Sequence, residues 1–373
     1  MTVSFVPHHA HATQSSCHFL ESFIRDVETL DDSKLNLAIG AFSAYLDFTH
    51  LLFIASQRGL VGITKCLLER QVGADLQINP SDVPDSWTPL HEAVNNQRAE
   101  VAKVICSYRP DFMSFIAEYE NDVVSPASLA IRKGNILLAD DLITDSVQLS
   151  DEACYCILKS ALTVNLQVFG HFLNRVMDRG FNKIDDSELY YEILQSDFAI
   201  EAFSLLQEKG ARLEARDGRG FTVLHHAVFL DHHQAIDYLI FLERDGKKIF
   251  RIDDFENTEN MTLIGCAVVE ADEVLVKKLL SYGARIYQEN IGYLPLHLAC
   301  RHGYKSIVVI LLEALKKDAS FRINEADESR FRAIDSAVEG GGVWAYVKFY
   351  NNMGPCVIII RSVGLRKRLL LSG

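Results

Sequence analysis

One short motif recurs along this chain, and its recurrence constrains the fold more than any other feature of the sequence. The three clear copies are WTPLHEA at 87–93, FTVLHHA at 221–227 and YLPLHLA at 293–299. A helical apolar pattern follows each copy, and Gly-Ala pairs at 210–211 and 283–284 mark the ends of such patterns. Internal similarity at a nearly fixed spacing predicts an array of stacked structural repeats.

Degenerate copies extend this register when the alanine of the motif is used as the reference. The resulting alanine column, with intervals of 31 to 40 residues, comprises Ala55, Ala93, Ala130, Ala161, Leu194, Ala227, Ala267, Ala299 and Ala337. A second column three residues earlier, mostly large and apolar, comprises Leu52, Leu90, Ala127, Leu158, Tyr191, Leu224, Ile264, Leu296 and Ile334. Alanines would let neighbouring helices approach, and the larger residues would fill the core between repeats. The longest interval predicts an inserted loop at 245–258.

The motif, its period and the Gly-Ala pairs resemble the ankyrin repeat. This resemblance implies an all-α fold, an ankyrin-repeat solenoid of about nine helix-turn-helix repeats with short β-hairpin loops. The copies centred on Ala161 and Leu194 are the weakest, so a helical insert at 145–200 is the alternative there. Leucines at 173, 205 and 206 match the second-helix positions of the register and favour degenerate repeats.

We expect four segments: a flexible leader at 1–14, an N-terminal helical cap at 15–48, the ankyrin-repeat array at 49–352 and a basic apolar tail at 353–373. The cap would cover the apolar face of the first repeat, which otherwise lies open to water. Residues 35–56 are largely apolar, but Asp47 near their middle argues against a membrane span. An alternative role for the basic apolar tail is contact with a membrane surface.

Charge and cysteine usage exclude several classes of function. Fifty acidic and 37 basic residues give a net charge of −13, which argues against nucleic acid as the ligand. The eight scattered cysteines are typical of reduced thiols used as small apolar residues. With no secretory signal pattern, we expect a cytoplasmic protein, in the host cytoplasm if it is a secreted effector.

Histidines offer the densest groups of potential metal ligands, yet the sequence predicts no metal site. The motif histidines at 91, 225 and 297 are structural if the resemblance holds. His8, His9, His11, Cys17 and His18 crowd one leader segment, and side chains at 225 and 226 point to different faces of a helix, away from 232 and 233. No P-loop, G-x-S-x-G or H-E-x-x-H motif is present, so we predict no enzyme and no cofactor.

The resemblance also indicates where a protein partner would bind. The residue before each motif copy, often aromatic, lies in the family at the hairpin base on the concave side, together with two residues that follow the motif. The predicted partner-binding residues are Trp87, Tyr155, Phe221, Met261, Tyr293, Phe331, Asn95, Asn96, Phe229, Leu230, Arg301 and His302. The alternative is that the rings pack sideways between successive hairpins.

The sequence therefore predicts a non-catalytic scaffold that binds an unidentified protein through the concave face and hairpin tips of an ankyrin array. Two alternatives stay open. One is an ankyrin effector of an intracellular bacterium that acts on a host protein. The other is an enzyme with a cryptic catalytic unit within 145–200.

Overall fold

A computed structural model describes residues 22–25, 32–41, 48–70, 87–144, 147–244, 247–254, 257–258, 261–286, 294–315, 333, 336, 346–351 and 354–359. The chain divides into two compact units, Met1–Lys183 and Ile184–Gly373. The predicted leader, residues 360–373 of the predicted tail, and Tyr293, Phe331, Ile334 and Ala337 lie outside the described residues.

Among the described residues, unit 1 contains a helical stretch at 22–25, the helix α1 (Asp32–Ala41) and four helix pairs. The pairs are α2 (Phe48–Arg58) with α3 (Val61–Glu69), α4 (Pro89–Asn95) with α5 (Ala99–Tyr108), α6 (Pro126–Arg132) with α7 (Ile136–Leu142), and α8 (Asp151–Leu162) with α9 (Leu166–Asp178). A 3-10 turn at Pro110–Ser114 and an antiparallel hairpin of β1 (Ala117–Tyr119) and β2 (Asp122–Val124) join the second and third pairs. First helices α2, α4, α6 and α8 contact one another in order, and α1 contacts α3.

The part of unit 2 that the structure describes contains four further helix pairs. They are α10 (Ser187–Leu194) with α11 (Ala199–Glu208), α12 (Val223–Phe229) with α13 (His233–Ile240), α14 (Leu263–Val269) with α15 (Glu273–Ser281), and α16 (Pro295–His302) with α17 (Lys305–Leu315). First helices α10, α12, α14 and α16 again contact one another in order. These pairs and those of unit 1 confirm the all-α fold.

Two short antiparallel hairpins complete the strands described in unit 2. Strands β3 (Glu243–Arg244) and β4 (Lys247–Lys248) pair within the predicted loop insertion. Strands β5 (Tyr346–Asn351) and β6 (Gly354–Ile359) pair with Asn351 opposite Gly354. The sequence analysis did not predict this last hairpin. Its two strands lie on either side of residue 353, where we placed the boundary between array and tail.

Outside the two weak copies, the first helix of each pair ends in the same turn, and this turn explains the alanine column. Ala93, Ala130, Ala227, Ala267 and Ala299 are each the fifth residue of a helix of seven or eight residues, and all are fully buried. Four residues after the column the backbone is left-handed, at Gly59, Gln97, Gly134, Asp231, Ala271 and Gly303. The next backbone N–H donates to the alanine carbonyl over 2.8–3.1 Å, the hydrogen bond of a Schellman motif.

The two weak copies lack this turn. Helix α8 has 12 residues, so Tyr155, which we expected before the motif, lies in its second turn, and that predicted position is wrong. In α10, Tyr190 and Ile193 are fully buried, so they occupy the two columns that we assigned to Tyr191 and Leu194. The register there was wrong by one residue. Their second helices nevertheless end at left-handed glycines, Gly180 and Gly210, as α15 does at Gly283.

Two of the motif histidines, His91 and His225, fix the start of their first helices. Backbone N–H of Thr88 donates to Nδ1 of His91 over 3.2 Å, and Nε2 of His91 lies 3.3 Å from the carbonyl of Val124 in the next hairpin. Thr222 and His225 form the same capping box. Burial lowers the pKa of both His91 and His225 to about 4, so these rings are neutral at pH 7 and serve a structural role.

No described helix is long and apolar enough to cross a lipid bilayer. Within the apolar stretch at 35–56, the structure describes two separate helices, α1 and the start of α2.

We predict that Gly134→Ala lowers the free energy of unfolding by about 1 kcal/mol, because a side chain is disfavoured in the left-handed conformation. Gly134 has φ 76 and no atom within 4 Å of an added Cβ. The expected loss of stability therefore comes from the backbone conformation and not from a steric clash. Gly218→Ala is the matched control, since its Cβ also meets open space and its φ is not left-handed. Equal urea midpoints for the two variants would contradict this account of the turn.

We also predict that stability falls as the pH drops from 7 to 5. The unfolded chain binds protons on His91 near pH 6.5, whereas the folded chain resists protonation until about pH 4, so acid favours unfolding. The loss is about 2 kcal/mol for this ring over that range. Urea unfolding of His91→Gln at both pH values should show a smaller pH dependence than the original chain does, and an unchanged dependence would contradict this account.

Candidate functional site

The predicted aromatic column is largely buried. Trp87, Phe221 and Met261 are only 3%, 1% and 6% exposed. The Trp87 ring stacks on Tyr119 of the following hairpin, with centroids 5.9 Å apart, and its Nε1 donates to Glu92 over 2.9 Å. The rings therefore pack sideways between successive repeats, as the structural alternative predicted. A direct contact of these residues with a partner stays a prediction, and their burial gives it little surface.

A polar face lies along the first helices of unit 1. It begins at the end of α4 with Asn95 and Asn96, both half-buried, and Asn96 Nδ2 donates to Glu92 Oε1 over 2.9 Å. The equivalent positions of α6 carry Arg132 and Lys133. These amides and cations make up a face suited to hydrogen bonds and ion pairs with a partner.

Neighbouring repeats hold the cations of this polar face in place. Asp122 of β2 pairs with Arg132 and, over 3.5 Å, with Lys159 of α8. Lys133 Nζ donates to the Tyr119 hydroxyl over 2.7 Å. Burial alone would raise the pKa of Asp122, but the hydrogen bond from Arg132 and the two positive charges lower it below its ordinary value. Asp122 therefore stays ionised and keeps the cluster ordered.

An aromatic face occupies the corresponding surface of unit 2, and we define it as Tyr191, His226, Phe229 and Leu230. Tyr191 is 39% exposed and meets the His226 ring edge-on at 5.5 Å. Phe229 meets the same imidazole at 6.3 Å and is half-buried, as is Leu230. The His226 Nε2 atom lies 3.1 Å from Asp217 Oδ2. Half-exposed rings are therefore held in fixed orientations on this surface.

Sequence reasoning identified two of these four residues. Phe229 and Leu230 were predicted, whereas Tyr191 was assigned to the core and His226 was considered only as a metal ligand. The signal that was missed is the pair of apolar doublets, Leu189-Tyr190 and Ile193-Leu194, which bury one side of α10. Such doublets leave Tyr191 on the outside.

The last predicted residues lie at the end of α16. Arg301 is half-buried and His302 is exposed, with its ring stacked on Tyr304 at 5.4 Å. Their positions match those of Asn95, Asn96, Phe229 and Leu230 in the other repeats. They extend the candidate surface of unit 2 beyond the aromatic face.

The described cysteines do not form a reactive site. Burial raises the pKa of Cys154 to about 12 and that of Cys156 to about 11. A thiol must lose its proton to act as a nucleophile, so these two cysteines of the 145–200 segment stay protonated at neutral pH.

Of the four histidines around the α12–α13 turn, one joins a group of potential metal ligands. His233 lies beside Asp231 and, from the next repeat, Asp272. His225 and His232 cap helices through their Nδ1 atoms, and His226 belongs to the aromatic face. The structure therefore disperses the four histidines, as their spacing indicated, but brings in a carboxylate that the sequence did not reveal.

Comparisons with known proteins agree with the repeat geometry. The family model for the ankyrin repeat matches residues 292–324. An ankyrin repeat protein of Acanthamoeba polyphaga mimivirus is 23% identical over 266 residues, covering 62% of this chain and 34% of the viral protein. Alpha-latrotoxin-Lh1a of Latrodectus hasselti is 28% identical over 165 residues, covering 43% of this chain and 12% of the toxin.

The chain thus spans about a third of the viral relative's length and about a tenth of the toxin's. The family match lies on α16 and α17, and the same helix pair and turn recur in other copies of the register. The chain is therefore similar to ankyrin-repeat proteins, and ankyrin repeats support a role in protein–protein interaction.

Proposed function

We propose that the chain is a non-catalytic scaffold that binds a protein partner through its first helices and hairpins, with the aromatic face as the anchor. The observation that carries this proposal is a set of partly exposed rings in which Tyr191 and Phe229 each contact His226 edge-on. Aromatic residues that lose little conformational freedom on binding are the usual anchors of protein interfaces. The family uses the corresponding face for partner contact.

The polar face of unit 1 supports the same proposal in a different way. Its cations and amides are already held by hydrogen bonds within the protein, so a partner would not have to order them. Groups of this kind contribute specificity through paired charges and hydrogen bonds. The net charge of −13 would attract a basic or mixed-charge partner and accelerate encounter.

No specific feature of the described residues favours either alternative function, the bacterial effector or the cryptic enzyme within 145–200. Ankyrin-repeat proteins are generally non-catalytic, and the buried thiols of Cys154 and Cys156 are unsuited to nucleophilic chemistry within the segment where we considered a cryptic enzyme. Action as a bacterial effector stays a prediction, as does a cytoplasmic location. Capture of partners from cytosol with the immobilised chain, followed by mass spectrometry, would identify the ligand for the tests below.

We predict that Tyr191→Ala and Phe229→Ala each weaken binding of the captured partner by at least tenfold, because hot-spot truncations cost about 2 kcal/mol. Phe241→Ala is the matched control, since Phe241 is 54% exposed and follows α13 on the second-helix side. Affinity measured by calorimetry must accompany a melting curve for each variant. If both folded variants bound the partner with normal affinity, the partner would not contact the aromatic face and the proposal would be wrong.

We predict that Trp87 acts through stability. Trp87→Ala should lower the free energy of unfolding by about 3–5 kcal/mol, the usual cost of removing a buried large ring. Trp87→Phe keeps an apolar ring and should bind the partner within twofold of the original chain. A large loss of affinity in a stable Trp87→Phe protein would instead make Trp87 a contact residue, as the sequence analysis predicted.

A further inference from the structure

Three potential ligands meet at the turns of two adjacent helix pairs in unit 2. Asp231 is the left-handed residue of the α12–α13 turn, His233 is the first residue of α13, and Asp272 is the N-cap of α15. His233 Nε2 lies 3.0 Å from Asp231 Oδ1 and 3.6 Å from Asp272 Oδ2. One ligand atom from each residue lies within 4.8 Å of the other two.

The two oxygens of Asp272 have different environments. Its Oδ1 accepts hydrogen bonds from the backbone N–H groups of Val274 and Leu275, each over 2.9 Å. Its Oδ2 is buried and has no hydrogen-bond partner among the described residues. The cap thus fixes the carboxylate and directs an unsatisfied oxygen toward His233, which is an unfavourable arrangement unless something neutralises it.

A proton on His233 cannot satisfy both carboxylates. Nε2 carries at most one hydrogen, and the closer acceptor is Asp231. Nε2 is the nitrogen that faces the two aspartates, and Nδ1 is buried with no hydrogen-bond partner among the described residues. The nearby Asp237, one helical turn along α13, is already paired with Lys278 over 2.6 Å. Two negative charges therefore share one imidazole, and a divalent cation would balance them.

The geometry and the ligand types indicate which class of cation fits. Zinc bonds of about 2.0–2.2 Å in a tetrahedral site place ligand atoms roughly 3.3 Å apart. The distances of 3.0 and 3.6 Å from His233 Nε2 bracket that value. An imidazole ligand favours first-row transition metals over Mg²⁺ or Ca²⁺. We propose that Asp231, His233 and Asp272 bind a divalent transition-metal ion such as Zn²⁺, with water completing the coordination.

Such an ion would link two consecutive repeats. Asp231 and His233 belong to the α12–α13 pair, and Asp272 belongs to the α14–α15 pair. Binding to the folded state alone would raise the melting temperature by an amount that grows with the logarithm of ion concentration above the dissociation constant. This inference is independent of the proposed partner, because these residues lie outside the aromatic face.

The test is titration of the full chain with Co²⁺ at pH 7.5, followed by visible absorbance, and with Zn²⁺ by calorimetry. We expect one equivalent to bind with a dissociation constant in the micromolar range. Asp272→Asn retains a capping side chain, Asp231→Asn tolerates the left-handed conformation, and His233→Gln keeps the side-chain length. Each folded variant should bind at least tenfold more weakly.

Two control proteins separate this site from other histidines. A His8→Gln, His9→Gln, His11→Gln variant removes most of the leader cluster, and His302→Gln removes an exposed ring. Both should bind Co²⁺ like the original chain. Circular dichroism spectra establish which variants fold, and any one folded variant at the three ligands decides the outcome. No binding at 1 mM Co²⁺, or binding that survives His233→Gln and is lost with the leader histidines, would overturn the proposal.

Discussion

The hydrogen bond that closes the turn after six of the eight described first helices is the constraint on which the rest of the structure depends. It runs to the carbonyl of a fully buried alanine from the backbone N–H five residues later, and it requires a left-handed residue in between. The alanine has to be small because a neighbouring first helix contacts this side of the helix. One backbone bond therefore couples the spacing of the repeats to their mutual packing.

The same turn determines which side chains can reach a partner. Each of these helices ends at a fixed distance from its alanine. The residues two and three positions after the alanine therefore lie at the end of the helix, next to the turn. Asn95 and Asn96, Arg132 and Lys133, and Phe229 and Leu230 all take these positions. The repeats thus present the same positions with different chemistry, which is polar at α4, α6 and α16 and apolar at α12.

Features that depend on periodicity were predictable, and those that depend on distant contacts were not. The alanine column and the structural histidines follow from a local pattern of buried and exposed positions, so His91 and His225 were assigned correctly. The register failed at α10 because no capping Thr-x-x-His marks its start, and the apolar doublets of that helix admit two alignments. Trp87 was placed on a binding surface because the sequence does not show that Tyr119 covers its ring. Asp272 lies one repeat away from His233, and only folding reveals that they meet.

The packing of each pair against its neighbours in the chain also bears on how the protein folds. Within each unit, first helices that contact one another are separated by about one repeat of sequence, so loop closure between them costs modest entropy. A helix pair with a capping box, such as α4–α5 or α12–α13, can form early, and the next pair can dock on its exposed side. The order in which repeats assemble is then set by local helix signals and not by one obligatory nucleus, as expected for quasi-one-dimensional chains.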